Sequence, residues 1–384
     1  MMIQKKRYEQ DTIELQLSSF QGDGGVTEYH ALFSVCASSL PYAEQLSKLL
    51  SAYTEWLEKE MPERVVPVFR RYFLSDAVNQ TEELMEAERF NLPCALSIVQ
   101  QPPLNGSKIA LWVYMQSDGR VRCLNSYTRE VIHGKYRHLW TGRMSNRAAN
   151  SEFQTRLLLN DYSMQLTEQQ CSLAADCIRT WFFVQNVDVN YSGVVKARKE
   201  VFITQGLTED THYITSTGIE GRHPDPDVLV QMDAYAVRGL KPEQIQYLYA
   251  PTHLNPTYEY GVTFERGVAV TYGDRKQVYL SGTASINNKG EIVHPGDILK
   301  QTERMMENVE VLLQEGGATA SDIVQALIYL RDPADYLLVK SYFEAEYPSM
   351  PYLILLAPVC RPGWLIEMEC IAEVNVSESA YAPF

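Results

Sequence analysis

Two stretches of this sequence read alike, and internal repetition limits the possible folds more than any other feature. Residues 179–207 hold an apolar strand-like run, a polar turn and a helix-like run, and residues 325–349 repeat that plan. A second matched pair, VFRRYFLSDAVNQ and VYLSGTASINNKG, lies upstream of them. Repeats of this length indicate tandem domains of one fold rather than a solenoid. The sequence therefore predicts an internal duplication.

The break between the two copies is predicted at HPDPD, residues 223–227, because closely spaced prolines disfavour regular structure. We predict an N-terminal extension over residues 1–63 that packs on the first domain. The first domain is expected over residues 64–225 and the second over residues 226–384. A chain of 384 residues is also longer than one average domain.

Strand-like runs and amphipathic helices follow one another in each copy. In residues 298–313 apolar side chains recur every three or four positions, and Gly316 and Gly317 follow as a stop signal. This pattern predicts an α+β fold in which helices pack on one face of each mixed sheet. The basic, irregular segment 132–150 is predicted to be a loop near the functional site.

The charge of the chain makes some partners unfavourable. It carries 48 acidic and 34 basic residues, a net charge of −14, which repels polyanions, so we expect no nucleic acid partner. No apolar run reaches the roughly 18 residues that a membrane span needs, and the N-terminus lacks the apolar core of a signal peptide. Seven cysteines without a CxxC pair fit a reducing compartment. We expect a cytoplasmic protein with no membrane partner.

Motifs for common cofactors are absent from the sequence. It contains no GxGxxG, Walker loop, HExxH or GxSxG. Its seven histidines are scattered and show no metal-ligand spacing. We therefore expect no cofactor and no metal.

The last strand-like run, IEMECIAEV, places three carboxylates in an apolar context, those of Glu367, Glu369 and Glu373. Glu367 and Glu369 lie on one face, because alternate residues of a strand point to opposite sides. Two interpretations are open: a half-buried strand with a solvated acidic face, or a proton donor at Glu367. The second requires the pKa to rise from about 4.3 towards neutrality, which burial and a neighbouring like charge can both cause.

Other polar residues could complete a site around this strand. Cys360 lies seven residues before Glu367 and is either a buried thiol at a loop edge or a site residue. Arg222, Arg266 and Arg361 have glycines nearby that would let the backbone approach a ligand. An arginine is more often a surface charge, but these three are our candidates for binding an anionic group.

Several blocks of the sequence resemble known families. The series YLSGTAS, GD, QT, NV, LL, GG, YLRD and IEMECIA resembles the RidA/YjgF (endoribonuclease L-PSP-like) superfamily over about 100 residues. The blocks FLSDAVNQ, HLWTG, TWFFVQNVDVNY, STGIEGR, YGVTFERG and APVCRPGWLIEMEC are more specifically similar to the chorismatase family, from about residue 64 onward. This resemblance implies two tandem RidA/YjgF-like α/β sandwich domains, with the catalytic strand in the second.

The chorismatase resemblance implies release of pyruvate from chorismate. Glu367 matches the family's general acid, which protonates the methylene carbon of the enolpyruvyl group. The other product would be a hydroxybenzoate or a dihydroxycyclohexadiene carboxylate. Cys360 and Gly273 match the cysteine and glycine of the branch that forms 3-hydroxybenzoate, which is therefore favoured. Gly273, Tyr260 and the three arginines are the implied substrate-binding residues.

One departure separates this chain from the smaller RidA enzymes, which bind the substrate carboxylate through an arginine in a Pro-x-Arg segment. Here the segment reads MPYLIL, with Tyr352 or Leu353 at that position. A RidA-type enamine or imine deaminase is therefore the less favoured alternative, because the bidentate anchor is missing. A non-catalytic small-ligand-binding protein of the same fold is a further alternative. RNA cleavage conflicts with the net charge.

In trimeric members of the superfamily the pocket lies between subunits. A duplicated chain can form that interface internally, so we expect a pocket between the two domains that takes a small anionic, chorismate-like substrate. The protein is expected to be a monomer with this internal interface, or a small homo-oligomer.

Overall fold

Three similar units follow one another along the chain. The computed structural model describes residues 1–61 and 64–384, and each unit is built on one six-stranded sheet. Unit 1 comprises residues 2–117, unit 2 residues 121–238 and unit 3 residues 245–375. Among the described residues, no helix has the length and apolar character needed to cross a membrane.

Each unit has three strands, a long helix, a strand, a second helix and two more strands, and unit 2 adds one short helix. Unit 1 contains β1 (Met2–Tyr8), β2 (Ile13–Gln21), β3 (Thr27–Val35), α1 (Tyr42–Lys59), β4 (Val65–Leu74), α2 (Ala77–Glu88), β5 (Ala95–Gln100) and β6 (Ile109–Ser117). Unit 2 contains β7 (Val121–Cys123), β8 (Thr128–His133), β9 (Tyr136–Ser145), α3 (Ser151–Glu168), α4 (Leu173–Asp176), β10 (Cys177–Val184), α5 (Val187–Thr204), β11 (Thr215–Glu220) and β12 (Val230–Arg238). Unit 3 contains β13 (Ile245–Leu248), β14 (Gly267–Thr271), β15 (Arg275–Ala284), α6 (Ile298–Glu315), β16 (Ile323–Leu330), α7 (Tyr336–Glu346), β17 (Tyr352–Leu356) and β18 (Ile366–Asn375).

The three sheets share one topology. The strand order in unit 3 is β13-β14-β15-β18-β16-β17, and the other two units give the same order when strands are counted from the start of each unit. In each unit the strands that flank the second helix pair in parallel, as a helical crossover requires. The predicted α+β class and the tandem arrangement are confirmed.

The number of units is three, where the sequence predicts two. Residues 1–63, predicted to be an extension, supply three strands and the first helix of unit 1. The expected boundaries near residues 63 and 225 both fall inside a unit. Of the two matched pairs, β10 and β16 are indeed equivalent strands, but VFRRYFL forms β4 and VYLSGTA forms β15, which hold different places in their sheets. Apolar strands look alike in sequence whatever their place in a sheet, which explains the mismatch.

The segment 132–150 is not the predicted loop. It contains the end of β8 and all of β9, which lies inside the sheet of unit 2. Leu139 and Trp140 are buried, and Arg137 pairs with Glu130 of the neighbouring strand. Most of β9 is buried and only Arg137, Arg143 and Ser145 are partly exposed, so the local charge comes from a few positions of a buried strand.

Three equivalent strands meet at a buried pseudo-threefold axis. The ladders place Trp112, Asp233 and Glu369 at the same position of β6, β12 and β18. All three surround Arg71, whose guanidinium carbon lies 5.2 Å from the Trp112 ring centroid. The Nη2 atom of Arg71 lies 2.8 Å from Asp233 Oδ2, and its Nη1 lies 4.0 Å from Glu369 Oε1. A single chain therefore closes around its own axis.

Candidate active site

A cavity of about 330 Å³ opens between unit 2 and unit 3. The first turns of α5 and the strand β11 form one wall. Unit 3 supplies the opposite wall from β15, β18 and the loops that precede β14 and β18. The lining residues are Tyr191, Ser192, Val195, Lys196, Ser216, Thr217, Gly218, Gly261, Val262, Phe264, Arg266, Gly282, Ala284, Ile286, Cys360, Arg361, Trp364 and Glu367. Its size falls within the usual range of small-molecule sites.

Glu367 lies on β18 at the floor of this cavity. Its neighbours across the ladder are Ala284 on β15 and Tyr329 on β16, and only 5% of the residue is exposed. The β15–β18 ladder is irregular between Leu280 and Thr283, and Gly282 lies in that irregularity. A Cβ atom at Gly282 would collide with the carboxyl group of Glu367, so the close approach of the two strands requires glycine here.

The carboxyl group of Glu367 has a strongly perturbed acidity. Burial raises its pKa to about 8, the negative charge of Glu369 adds to the rise, and Arg179 and Arg266 oppose it. At neutral pH the side chain is therefore largely protonated. A protonated carboxyl group at the floor of a cavity can donate its proton to a bound molecule.

Glu369 is buried and pairs with positively charged arginine side chains. Its Oε2 atom accepts a hydrogen bond from Arg179 Nη2 at 2.8 Å, and its Oε1 accepts one from Trp181 Nε1 at 2.8 Å. Arg71 completes the surroundings. The strand therefore has no solvated acidic face: its three carboxylates are all buried, Glu367 in a cavity, Glu369 in an ion-pair network and Glu373 beside His30.

Cys360 lies at the rim of the same cavity, in the loop that precedes β18. Burial raises the pKa of its thiol to about 12, and the negative charge of Glu367 adds to the rise. A hydrogen bond with Tyr191 opposes that rise without cancelling it. The thiol therefore stays protonated at neutral pH and is a poor nucleophile.

Two of the three candidate arginines line the cavity. Arg266 is buried and donates hydrogen bonds to the backbone oxygen of Asn255 at 3.0 and 3.3 Å. Arg361 lies with its guanidinium carbon 5.5 Å from the Trp364 ring centroid. Arg222 does not line the cavity: its side chain is exposed and its Nε lies 3.6 Å from Glu220.

Two further residues, Gly273 and Tyr260, were predicted to bind substrate. Gly273 lies away from the cavity, and the position of the Tyr260 side chain is not described. Gly273 lies between β14 and β15, where its backbone packs against residues 381–383 rather than against the cavity. The side chain of Tyr260 lies outside the part of the chain that the structure describes. The glycine that the site needs is Gly282, in the SGTAS block, because strand geometry rather than loop position sets that requirement.

The wall from unit 2 was missed at the sequence level. Tyr191 packs over Gly218, where a Cβ atom would clash with its ring. The hydroxyl of Thr217 accepts a hydrogen bond from the backbone N–H of Gly282 at 3.0 Å and so joins the two units beside Glu367. The STGIEGR block holds both Thr217 and Gly218, but only the tertiary fold shows that it faces the last strand.

Similar proteins place the third unit in a known family. The endoribonuclease L-PSP family matches residues 266–374. The 3-aminoacrylate deaminase RutC of Acinetobacter baylyi is 33% identical over 101 residues, which is 25% of this chain and 79% of that protein. A RutC family protein of Pyrococcus abyssi is 34% identical over 98 residues, 25% of this chain and 76% of that protein. The chain therefore belongs to the endoribonuclease L-PSP family, the RidA/YjgF superfamily expected from its motifs.

A solved structure resembles the chain over more than one unit. A crystal structure of a chorismatase aligns with a TM-score of 0.62 and 16% identity, covering 82% of this chain and 96% of that one. At this identity the likeness concerns the fold. The arrangement of this chain therefore occurs in a chorismatase.

Proposed function

We propose that this protein is a chorismatase-type enzyme that releases pyruvate from chorismate or a close relative. The observation that carries the proposal is the buried carboxyl group of Glu367 at the floor of a cavity that also holds Arg266 and Arg361. Burial raises the pKa of this group to about 8, which favours the protonated form. The likeness of the fold to a chorismatase and the sequence blocks around Glu367 support the same assignment.

The proposed chemistry begins with proton transfer from Glu367. Its proton goes to the methylene carbon of the enolpyruvyl ether, and the adjacent carbon becomes an oxocarbenium ion. Water then adds to that carbon, and the hemiketal collapses to pyruvate and a dihydroxycyclohexadiene carboxylate. In the other branch the ring hydroxyl attacks the neighbouring ring carbon that bears the ether oxygen, the ether C–O bond breaks, and pyruvate leaves. The resulting epoxide opens and the ring loses a C–H proton, which gives 3-hydroxybenzoate. The carboxylate of Glu367 is reprotonated at the end of either sequence.

The proposed substrate is an anion in a protein of net charge −14, so the cavity must provide local positive charge. Arg266 and Arg361 supply it from unit 3, and Lys196 lies at the rim from unit 2. Guanidinium groups suit carboxylates because their donors match the two oxygens.

The 3-hydroxybenzoate branch remains our favoured product. Its support is Cys360, which lies beside Glu367 in the cavity as a neutral thiol. Gly273 gives no further support, because it packs against residues 381–383 instead. A neutral thiol would shape the cavity and limit the access of water, rather than attack the substrate.

A coupled assay for pyruvate tests the proposal. Chorismate is incubated with the protein, and pyruvate is followed through lactate dehydrogenase while the organic product is identified by mass spectrometry. We expect stoichiometric pyruvate and 3-hydroxybenzoate. Absence of pyruvate at micromolar enzyme would overturn the proposal.

A RidA-type deaminase is the second candidate, because the relatives of unit 3 include a 3-aminoacrylate deaminase. The segment expected to carry the anchoring arginine, with Tyr352 and Leu353, does not line this cavity. That segment forms β17 of unit 3. The strand of unit 2 that is equivalent to β17 is β11, which does line the cavity but contains no arginine. Accelerated release of ammonia from 2-iminopropionate, without pyruvate from chorismate, would favour this candidate. If the protein releases neither pyruvate from chorismate nor ammonia from 2-iminopropionate, a non-catalytic ligand-binding role is the remaining hypothesis.

A further inference from the structure

The arginines that the fold buries differ in their partners. Four of them pair with carboxylates: Arg70 with Glu88, Arg71 with Asp233, Arg179 with Glu369, and Arg275 with Glu28 and Asp274. Burying a cation is costly unless it is paired and hydrogen-bonded, so these pairs are expected. Two other buried arginines depart from this pattern: Arg266 donates to oxygens of Asn255, and Arg198 donates to a hydroxyl group.

Arg198 lies on α5 with 1% of its surface exposed. Its Nε donates to the hydroxyl of Thr263 at 3.2 Å. Its Nη2 is buried and has no hydrogen-bond partner among the described residues. Its guanidinium carbon lies 5.9 Å from the Phe182 ring and 5.8 Å from the Phe264 ring. Neighbouring rings stabilise a cation, but they do not satisfy an N–H donor.

Arg198 lies close to the cavity, next to residues that line its wall. Val195, three residues earlier on the same face of α5, lines the cavity, and so do Val262 and Phe264 on either side of Thr263. Arg198 therefore lies directly behind the loop that forms this wall. Its positive charge also reaches Cys360 at the rim.

We propose that Arg198 is a binding residue for the carboxylate of a small cyclic acid that enters this cavity, with its free Nη2 as the donor. The Phe264 ring moves aside when the ligand enters and lets the carboxylate reach the guanidinium group. Without the ligand the ring covers the cation and keeps water from it. This inference deepens the proposed function, since it names how one carboxylate of the substrate is recognised.

Arg198 completes the distribution of charge around the cavity. Arg266 and Arg361 belong to unit 3, whereas Arg198 belongs to unit 2. A ligand with two carboxylates would therefore be held from both units, with its reacting group directed at Glu367. A ring acid with one carboxylate, such as benzoate, would use Arg198 as its anchor.

Calorimetric titration with benzoate tests this inference without relying on catalysis. The wild type should bind benzoate in preference to benzamide, its neutral counterpart. R198Q should weaken benzoate binding by about 10- to 100-fold and leave benzamide unchanged, because it removes a hydrogen bond between two charged groups. R198K should restore part of the loss. R222Q is the matched control, because Arg222 lies outside the cavity, and it should bind benzoate like the wild type.

F264A keeps the test decisive if R198Q does not fold. Removing the ring should expose Nη2 and strengthen benzoate binding by severalfold relative to benzamide. Unchanged benzoate affinity in folded R198Q, weaker benzoate binding relative to benzamide in F264A, or no benzoate binding by the wild type in the millimolar range would overturn the inference. Release of pyruvate from chorismate that is indifferent to R198Q would contradict this inference alone. Benzoate binding that depends on Arg198, without turnover of chorismate, would contradict the proposed function alone.

Discussion

The boundary between units 2 and 3 and the boundary between units 1 and 3 are built from equivalent elements but carry different side chains. A second cavity, of about 420 Å³, lies where β2 and β3 of unit 1 face α7 and β17 of unit 3. Its lining includes Lys5, Arg7, Glu14 and Glu344. Equal placement of two cavities shows that the fold itself creates the space, and the side chains decide what each space can do.

The ladders identify what changes between the two boundaries. Ala110 of unit 1 occupies the position of Glu367, and Leu353 of unit 3 occupies that of Thr217. The side chain of Gln16 crosses the second boundary and bonds both the N–H and the C=O of Tyr352, each at 3.1 Å. Only the boundary of units 2 and 3 combines an acid with a bridging hydroxyl at these positions. The third equivalent of Glu367 is Gln231 of unit 2, which is buried.

The strongest test of this contrast is E367Q. Glutamine keeps the shape but has no acidic proton, so pyruvate release from chorismate should fall by about 10²–10⁴-fold. The measurement is kcat in the coupled assay, with folding checked by circular dichroism. Adding Q231E to E367Q should restore nothing, because the equivalent place in unit 2 lacks the rest of the site. Full activity in E367Q would contradict the role of Glu367 as the general acid that distinguishes the boundary of units 2 and 3.

The axis that holds the three units together predicts a large effect on stability. R179M leaves the buried Glu369 without its closest ion-pair partner, and breaking a buried pair in this way costs about 3–5 kcal/mol of unfolding free energy. Urea titration measures the loss. A matched change of an exposed pair, K300M beside Asp297, should have little effect because both side chains are largely solvated. Equal losses in the two variants would contradict the role assigned to the axis.

The acidity of Glu367 predicts two effects of pH. The acid must be protonated to act, so kcat/KM should fall as the pH rises past about 8. E369Q removes the neighbouring negative charge, which should move this decline to lower pH. The same pKa shift affects stability. Because the pKa of Glu367 is higher in the folded than in the unfolded protein, its protonation contributes to the free energy of unfolding below about pH 4.5. This contribution is lost as the pH rises through about 8. The Tm of the wild type should therefore fall over this range more than that of E367Q. A decline in kcat/KM that does not move in E369Q would contradict the coupling of the two carboxylates.

The smallest effect is expected at Cys360. Because its thiol stays protonated and does not attack the substrate, C360A should reduce pyruvate release by less than about tenfold, well below the loss from removing a general acid. The ratio of 3-hydroxybenzoate to the dihydroxycyclohexadiene carboxylate should change, since the substitution opens the cavity to water. Mass spectrometry of the products measures this ratio. Complete loss of pyruvate in a folded C360A protein would instead give the thiol a direct role in the chemistry.

The sequence allowed the α+β class, the tandem repetition and the placement of Glu367 and Cys360 in one site to be predicted. It did not show that the chain holds three units rather than two, because the equivalent axial positions hold Trp112, Asp233 and Glu369, which form no repeated sequence pattern. The wall that unit 2 supplies also escaped prediction. Its residues are separated from Glu367 by more than a hundred positions and meet it only in the folded chain.

Covalent linkage of the three units has a consequence for how such a site can change. In an assembly of identical subunits, every substitution appears at all three boundaries at once, and a buried acid would have to be tolerated in three places. Here each unit has its own sequence, so an acid can stand at one boundary while alanine and glutamine stand at the other two. Each chain should therefore carry one catalytic centre, and titration with a tight inhibitor should end at one equivalent per polypeptide.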